Sequence, residues 1–502
     1  MALSNNLGAL LPLDRGADKI ALIDLVDDVA REYTYAEFDA IVDGVARGLR
    51  ARGFPDGGRV AILSPNRMEF LAAYLGIMRA GLIAVPVNYR QPAAAIDFVL
   101  QDSGACLVFC DALRRSALST DLPVVVFGAQ HQDGFDAFLD PGDWTPAETA
   151  SGDAALYLYT SGSTGRPKGV MLSHAGYLWT VRQRLAATDY ARHRFLVAAP
   201  LYHMNALNTI KLALAGHGTL ILMPQFSAAG YLAAIQAYRC TWLTAIPTMI
   251  ALIARETDGK QKPDLSSVTM VRMGSEPLTQ RIVDSARELF PNASFGNGYG
   301  TTETGALIFG PHPHGLSQPL LSVGYPHPAV DLRLVDGANR NATEGVLQVK
   351  SPAIMLGYRG LPELSVKAMT DDGFYITGDV MRRDQNGFHY FVGRVDDMFV
   401  CGGENIYPGE VEKLLERHPD IQQACIVAVA DATKGRKPVA LVAVRPGSQL
   451  NEQAVKEYAL ENGPAYQHPR SVHFVDSLPI GSTGKIDRKA AARLLEELAA
   501  PS

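Results

Sequence analysis

Tyr159-Thr160-Ser161-Gly162-Ser163-Thr164-Gly165-Arg166-Pro167-Lys168-Gly169-Val170 is the stretch that decides how this chain is read. From Thr160 to Gly169 it holds only hydroxyl residues, glycines, two cations and one proline. Glycines let backbone N–H groups converge, hydroxyls add donors, and Arg166 and Lys168 add charge. Such a loop is suited to a polyphosphate. A flexible surface turn has no need of so many donors. The Walker pattern requires Gly-Lys-Ser/Thr, whereas Gly165 is followed by Arg166. Gly484-Lys485 has the right pair, but Ile486 follows, and Pro479 stands where the first glycine belongs.

Outward from this loop the apolar pattern alternates between strand and helix. Thr34 and Glu37 have capping-box spacing before Phe38, Ile41, Val42, Val45 and Leu49, which predicts a helix over 33–53. Short apolar runs at 60–63, 83–87 and 106–110 predict buried strands, with a helix over 68–80 between the first two. Further strands are expected at 194–199, 218–223, 242–246 and 268–273. This alternation implies a layered α/β domain with mostly parallel strands. From about residue 330, short β-like runs (331–335, 345–350, 388–392) predict a small β-rich subdomain. After Arg394 comes a compact α+β tail, with helices at 408–417, 453–462 and 488–498 and strands at 424–429 and 439–444. The expected division is 1–393, a hinge at 394–396, and 397–502 as a small mobile C-terminal domain.

The 502 residues are enough to bury a large core without staples. A net charge of −6 disfavours nucleic acid as the main partner. Five scattered cysteines argue against a disulfide framework and for a reducing compartment. Cys106 and Cys110 are spaced like metal ligands, but no second pair accompanies them, so two thiols on a buried strand are expected. Asp14 and Arg15 interrupt the short apolar run near the start, which does not suit a signal peptide. The most apolar stretch, 70–89, carries Arg79, two glycines and Pro86 and fits a buried helix and strand rather than a membrane span. A cytoplasmic protein without membrane insertion is expected.

Further motifs follow in order: Gly298-Tyr299-Gly300-Thr301-Thr302-Glu303, Tyr375-Ile376-Thr377-Gly378-Asp379, Gly393-Arg394-Val395-Asp396-Asp397, Gly402-Gly403-Glu404-Asn405-Ile406-Tyr407-Pro408-Gly409-Glu410, and Pro479 with Gly484-Lys485. With the phosphate loop, this series resembles the adenylate-forming superfamily of acyl-CoA synthetases, adenylation domains and luciferases. The likeness covers nearly the whole chain, and bacterial AMP-forming acyl- or aryl-CoA ligases resemble it most.

The resemblance implies that Thr160, Ser161, Gly162, Ser163, Thr164, Gly165 and Lys168 hold the phosphates of ATP. Ser275, Glu276, Pro277, Tyr299 and Gly300 would border the nucleotide, and Thr302 the α-phosphate. Glu303, a carboxylate beside two threonines, suits Mg²⁺ shared with substrate phosphates. Asp379 would accept hydrogen bonds from ribose hydroxyls, with Arg394 as a second nucleotide contact. Lys485 would bridge the carboxylate and the α-phosphate, because two anions must meet there. Asp396 falls at the family's hinge, and Gly402 and Gly403 would line a passage for the CoA thiol. Lys434-Gly435-Arg436-Lys437 suits the CoA phosphates or a solvated face.

His203, Met204, Asn205, Gly298, Gly305 and Ala306 fall where related ligases shape the acid pocket. Malonate-type ligases resemble this chain but carry an arginine where Gly298 stands, which argues against a short dicarboxylic acid. A substituted aromatic or medium-chain acid is expected. The implied reaction is ATP-dependent formation of an acyl-adenylate, then transfer to CoA with release of AMP. Two rivals stay open: an enzyme loading a carrier protein, and a non-catalytic nucleotide sensor. A homodimer is compatible with the reading, and the Pro479 to Lys485 segment resembles a site of lysine acetyltransferases acting on Lys485.

Overall fold

The computed structural model describes residues 4–26, 29–116, 118, 120–161, 166–259, 263–276, 278–401, 404–431, 434–481 and 486–499. Two seven-stranded sheets form the large part. In the first, Ser294–Gly298, Met270–Gly274, Trp242–Ala245, Arg194–Val197, Thr219–Leu222 and Ile20–Asp24 run parallel in that order, and Arg31–Thr34 closes the edge antiparallel. In the second, Ala154–Ser161, Ile83–Pro86, Arg59–Leu63, Ala105–Asp111 and Val124–Phe127 are parallel. Pro167–Ser173 and Gly357–Tyr358 extend it antiparallel.

Both sheets are covered on both faces, which explains their unbroken apolar strands. Helices Tyr35–Ala51, Met68–Arg79, His174–Ala187 and Met204–Ala215 pack in one continuous core with the two sheets. Outer helices Ala228–Tyr238, Pro247–Thr257 and Gln280–Leu289 cover the far face of the first sheet. The expected capping box forms, with Thr34 and Glu37 bonding each other's backbone N–H. Cys106 and Cys110 lie on one strand as free thiols, Cys110 buried.

A four-stranded antiparallel sheet follows (Asp331–Val335, Glu344–Lys350, Tyr375–Arg383, His389–Arg394). The chain then enters a separate five-stranded sheet, built on the long hairpin Ile421–Asp431 and Gly435–Val444 and packed by helices Pro408–Leu415, Glu452–Asn462 and Arg488–Ala499. The strands extend further than the apolar runs predict, because hairpin pairing carries Asp431, Gly435, Arg436 and Lys437 into the ladder.

One buried residue has no counterpart in the sequence reading. Lys211, on helix Met204–Ala215, is 1 % exposed. Its Nζ has no hydrogen-bond partner among the described residues and lies 3.2 Å from the centre of the Tyr177 ring. Burial holds the amine well below the usual lysine range. The unfolded chain therefore binds the extra proton, so stability rises with pH up to about the free lysine value and is lost as pH falls. Lys211→Met fills similar space without a polar atom. It is expected to raise the unfolding free energy at pH 7 by about 1–3 kcal/mol, read by urea denaturation, and to remove this alkaline slope. A loss of stability would show that the amine is satisfied.

Candidate active site

The phosphate-loop motif folds as a hairpin. Thr160 pairs with Lys168 and Ser161 with Pro167. The tip, Gly162, Ser163, Thr164 and Gly165, lies outside the described residues. Thr160 and Lys168 line a large cleft between the large part and the tail. Lys168 Nζ sits 4.7 Å over the Tyr358 ring, and the Tyr358 hydroxyl donates to Glu303 Oε1 at 3.1 Å. A cation, a phenol and a carboxylate thus stand in sequence along one wall. Sequence reasoning missed Tyr358, because nothing around it has a pattern; strand pairing of Gly357–Tyr358 with Val170 and Met171 delivers it.

Gly298, Tyr299, Gly300, Thr302 and Glu303 line the same cleft. They follow the end of strand Ser294–Gly298, where a parallel strand leaves its carboxyl end open to a ligand. Gly300 is required by close approach: a Cβ there would come within 2.4 Å of the Gly305 carbonyl oxygen. A bridge from Thr301 to Gly305 makes this turn. Gly305 is buried with φ 74°, and a Cβ on it would meet Ala353 at 2.9 Å. Gly305 and Ala306 are not among the residues lining the cleft. Both stand on the turn that follows Glu303.

Asp379 is 3 % exposed and held from two sides. Tyr299 donates its hydroxyl to Oδ2 at 2.5 Å, and Arg394 Nη1 donates to Oδ1 at 2.6 Å. Register sets the second contact, since Asp379 and Arg394 face each other on neighbouring strands. Burial raises the carboxyl above its ordinary range, while Arg394 and the Tyr299 hydroxyl oppose that shift. Asp396, on the turn after Arg394, is exposed and lies 3.8 Å from the Arg394 guanidinium.

Ser275 lines the cleft with a left-handed backbone, φ 67°, unusual for a residue other than glycine and typical of strained functional turns. Glu276 also lines the cleft; its Oε2 accepts from the N–H and hydroxyl of Thr248, at the start of helix Pro247–Thr257. Pro277, Gly402, Gly403 and Lys485 lie outside the described residues.

His203, Met204 and Asn205 line the cleft where helix Met204–Ala215 begins. The His203 ring packs edge-on against Tyr202, and Tyr202 against Tyr89, with centroids 4.6 and 5.5 Å apart. This is an aromatic wall. The Arg272 guanidinium, from the neighbouring strand, comes within 3.1 Å of where a Gly298 Cβ would stand.

Glu303 is a single carboxylate with one oxygen engaged by Tyr358. Among the described residues no group of three acidic, His or Cys side chains gathers around a point. That donor set fits a hard cation sharing substrate phosphates, and not an all-protein cage.

An AMP-binding enzyme family model matches residues 13–359, and its AMP-binding enzyme C-terminal domain matches 410–485. The chain belongs to this family, the adenylate-forming acyl- and aryl-CoA ligases. It is 34 % identical over 463 residues to a feruloyl-CoA synthase of Amycolatopsis sp, covering 90 % of this chain and 92 % of that protein. It is 29 % identical to 4-coumarate–CoA ligase 2 of Nicotiana tabacum, covering 91 % and 88 %. Among solved structures, ATP-bound MatB from Rhodopseudomonas palustris superimposes with a TM-score of 0.89 at 26 % identity, covering 99 % of this chain and 100 % of that one. The chain is an AMP-forming carboxylate–CoA ligase, with ATP and CoA as co-substrates. The carrier-loading and sensor readings are not favoured. Nothing in the fold or the relatives supports the homodimer or acetylation of Lys485. No helix among the described residues is long and apolar enough to cross a membrane.

Proposed function

We propose that the acid is a substituted aromatic carboxylate, and that the cleft residues divide the work as follows. The observation that carries this reading is the pairing of two things on one cleft: the Tyr299–Asp379–Arg394 cluster with its buried carboxylate, and the Tyr202–His203 aromatic wall that Tyr89 backs. Asp379 accepts from the ribose hydroxyls, and Ser275 and Tyr299 flank the adenine. The hairpin between Thr160 and Lys168 holds the phosphates. Mg²⁺ held at Glu303 would offset charge on the phosphates it shares. The aromatic wall orients the acid so that one carboxylate oxygen attacks the α-phosphorus and pyrophosphate leaves. Lys485 offsets the repulsion between the two anions.

The acyl-adenylate is then attacked by the CoA thiol, and AMP departs. The chain would turn about Asp396 between these steps, with 397–502 moving as a unit, so that Gly402 and Gly403 line the thiol's path. The relatives named for feruloyl and 4-coumaroyl substrates support an aromatic acid. The test is a panel of benzoates, cinnamates and C4–C12 aliphatic acids with ATP, Mg²⁺ and CoA, reading AMP and acyl-CoA together. An aromatic acid should give the highest kcat/KM. An aliphatic acid ahead of every aromatic one by tenfold would overturn the proposal.

A further inference from the structure

We propose that the acid carries a second anionic group, a carboxylate or sulfonate, at the end remote from the activated carboxylate, and that Arg272, with Arg184 beside it, binds that group. This rests on the ligase reading above and names its substrate more narrowly.

The argument begins with strand alternation. On Met270–Gly274, Val271 and Met273 point into the core under the outer helices. Arg272 must therefore project from the opposite face, the one helix His174–Ala187 covers. Register then places it. Arg272 is opposite Gly296, and Gly274 opposite Gly298. Two glycines leave the neighbouring strand bare along Arg272. Its Cγ comes within 3.8 Å of a Cβ built on Gly296, and its Nη2 within 3.1 Å of one built on Gly298. Gly298 lines the cleft, so the guanidinium ends beside it, where the far end of an acid reaching that glycine would meet it. A side chain at 298 would occupy the space that this guanidinium takes. The absence of arginine at 298 is therefore no argument against a distal anion; the cation arrives from the adjacent strand instead.

The second observation is a missing counter-charge. Arg184 lies in the last turn of helix His174–Ala187, close to Arg272. Burial, and then Arg272, lower Arg184 to about 9. No carboxylate among the described residues offsets either guanidinium; only the Tyr190 phenol acts on them in the opposite sense. Several other arginines of this chain stand against an acid. Arg79 has Asp39 and Asp43 at 2.7 and 2.6 Å, Arg67 has Glu69 at 2.7 Å, Arg394 has Asp379 at 2.6 Å, and Arg488 has Glu412 at 2.7 Å. Two neighbouring guanidiniums without an acid repel each other and pay desolvation with no return from the protein. A planar fork of donors matches a carboxylate or sulfonate, and a ligand anion would supply the charge balance found at those pairs.

The test compares matched acids on the intact enzyme by kcat/KM for AMP release: benzoate, terephthalate and 4-sulfobenzoate, and cinnamate beside 4-carboxycinnamate. In the wild type, at least one distally charged acid should exceed its uncharged partner by tenfold or more. A carboxylate or a sulfonate as the favoured group supports the proposal equally and says which one the site takes. Arg272→Met should lower that charged-to-uncharged ratio by about 100-fold, mainly through KM, with Arg272→Lys in between and Arg184→Met lowering it less. No charged acid reaching tenfold in the wild type, or an unchanged ratio in Arg272→Met, overturns the proposal. The wild-type ratio decides alone if the variants do not fold. Release of AMP from none of the acids would instead count against the ligase reading itself.

Discussion

Asp379→Ala is expected to lower kcat/KM for ATP by about 10²–10³, chiefly through KM. The carboxylate is buried, so its hydrogen bonds are made with little competition from water. Bonds to a charged acceptor contribute about 1.5–3 kcal/mol each. Two ribose hydroxyls lost together therefore amount to about 3–6 kcal/mol, and the lower part of that range, reached because water replaces the lost carboxylate, is two to three powers of ten. The substitution also removes the partner of Arg394 and of the Tyr299 hydroxyl, both of which would otherwise border the nucleotide. Asp379→Asn keeps the shape and loses the charge, and should fall between wild type and Ala. Steady-state kinetics with ATP varied at saturating acid and CoA read the effect. A change below threefold in Asp379→Ala would remove Asp379 from the ribose site.

Lys485→Ala should depress the first half-reaction by about 10²–10³, the range for removing one preorganised charge from a transition state. The second half-reaction, CoA attack on a supplied acyl-adenylate, should fall by less than tenfold, because no anion approaches a phosphate in that step. Rapid-quench measurement of pyrophosphate release gives the first rate, and acyl-CoA formation from the supplied adenylate gives the second. Equal losses in both would contradict the role assigned to this lysine.

What could be read in advance and what could not has a physical pattern. The inner strands at 59–63, 83–86, 105–111, 194–197, 219–222, 242–245 and 270–274 were legible because both faces are buried, so their apolar runs are bounded sharply by turn residues. The Thr34–Glu37 cap was legible because its chemistry is local. Glu303 and Asp379 stood out because glycines and hydroxyls surround them in sequence.

Contacts across strands were not legible. Tyr358 reaches Glu303 only through pairing with the strand that follows the phosphate loop. Arg272 reaches Gly298 only because two strands align with Gly274 opposite Gly298. Gly305 depends on the same kind of contact. It adjoins Glu303 in sequence, and its bridge to Thr301 folds the chain back there. Lys211 shows a third limit: periodicity marks the apolar face of its helix, but not which polar side chain shares that face.

The central claim is that the acid's own oxygen attacks the α-phosphorus of ATP. Its most direct test is to run the complete reaction with an acid labelled with ¹⁸O in both carboxylate oxygens and to analyse the products by mass spectrometry. The account predicts one ¹⁸O in the phosphate of AMP, one in the thioester carbonyl, and none in pyrophosphate. Formation of ADP, or label appearing in inorganic phosphate with unlabelled AMP, would contradict it.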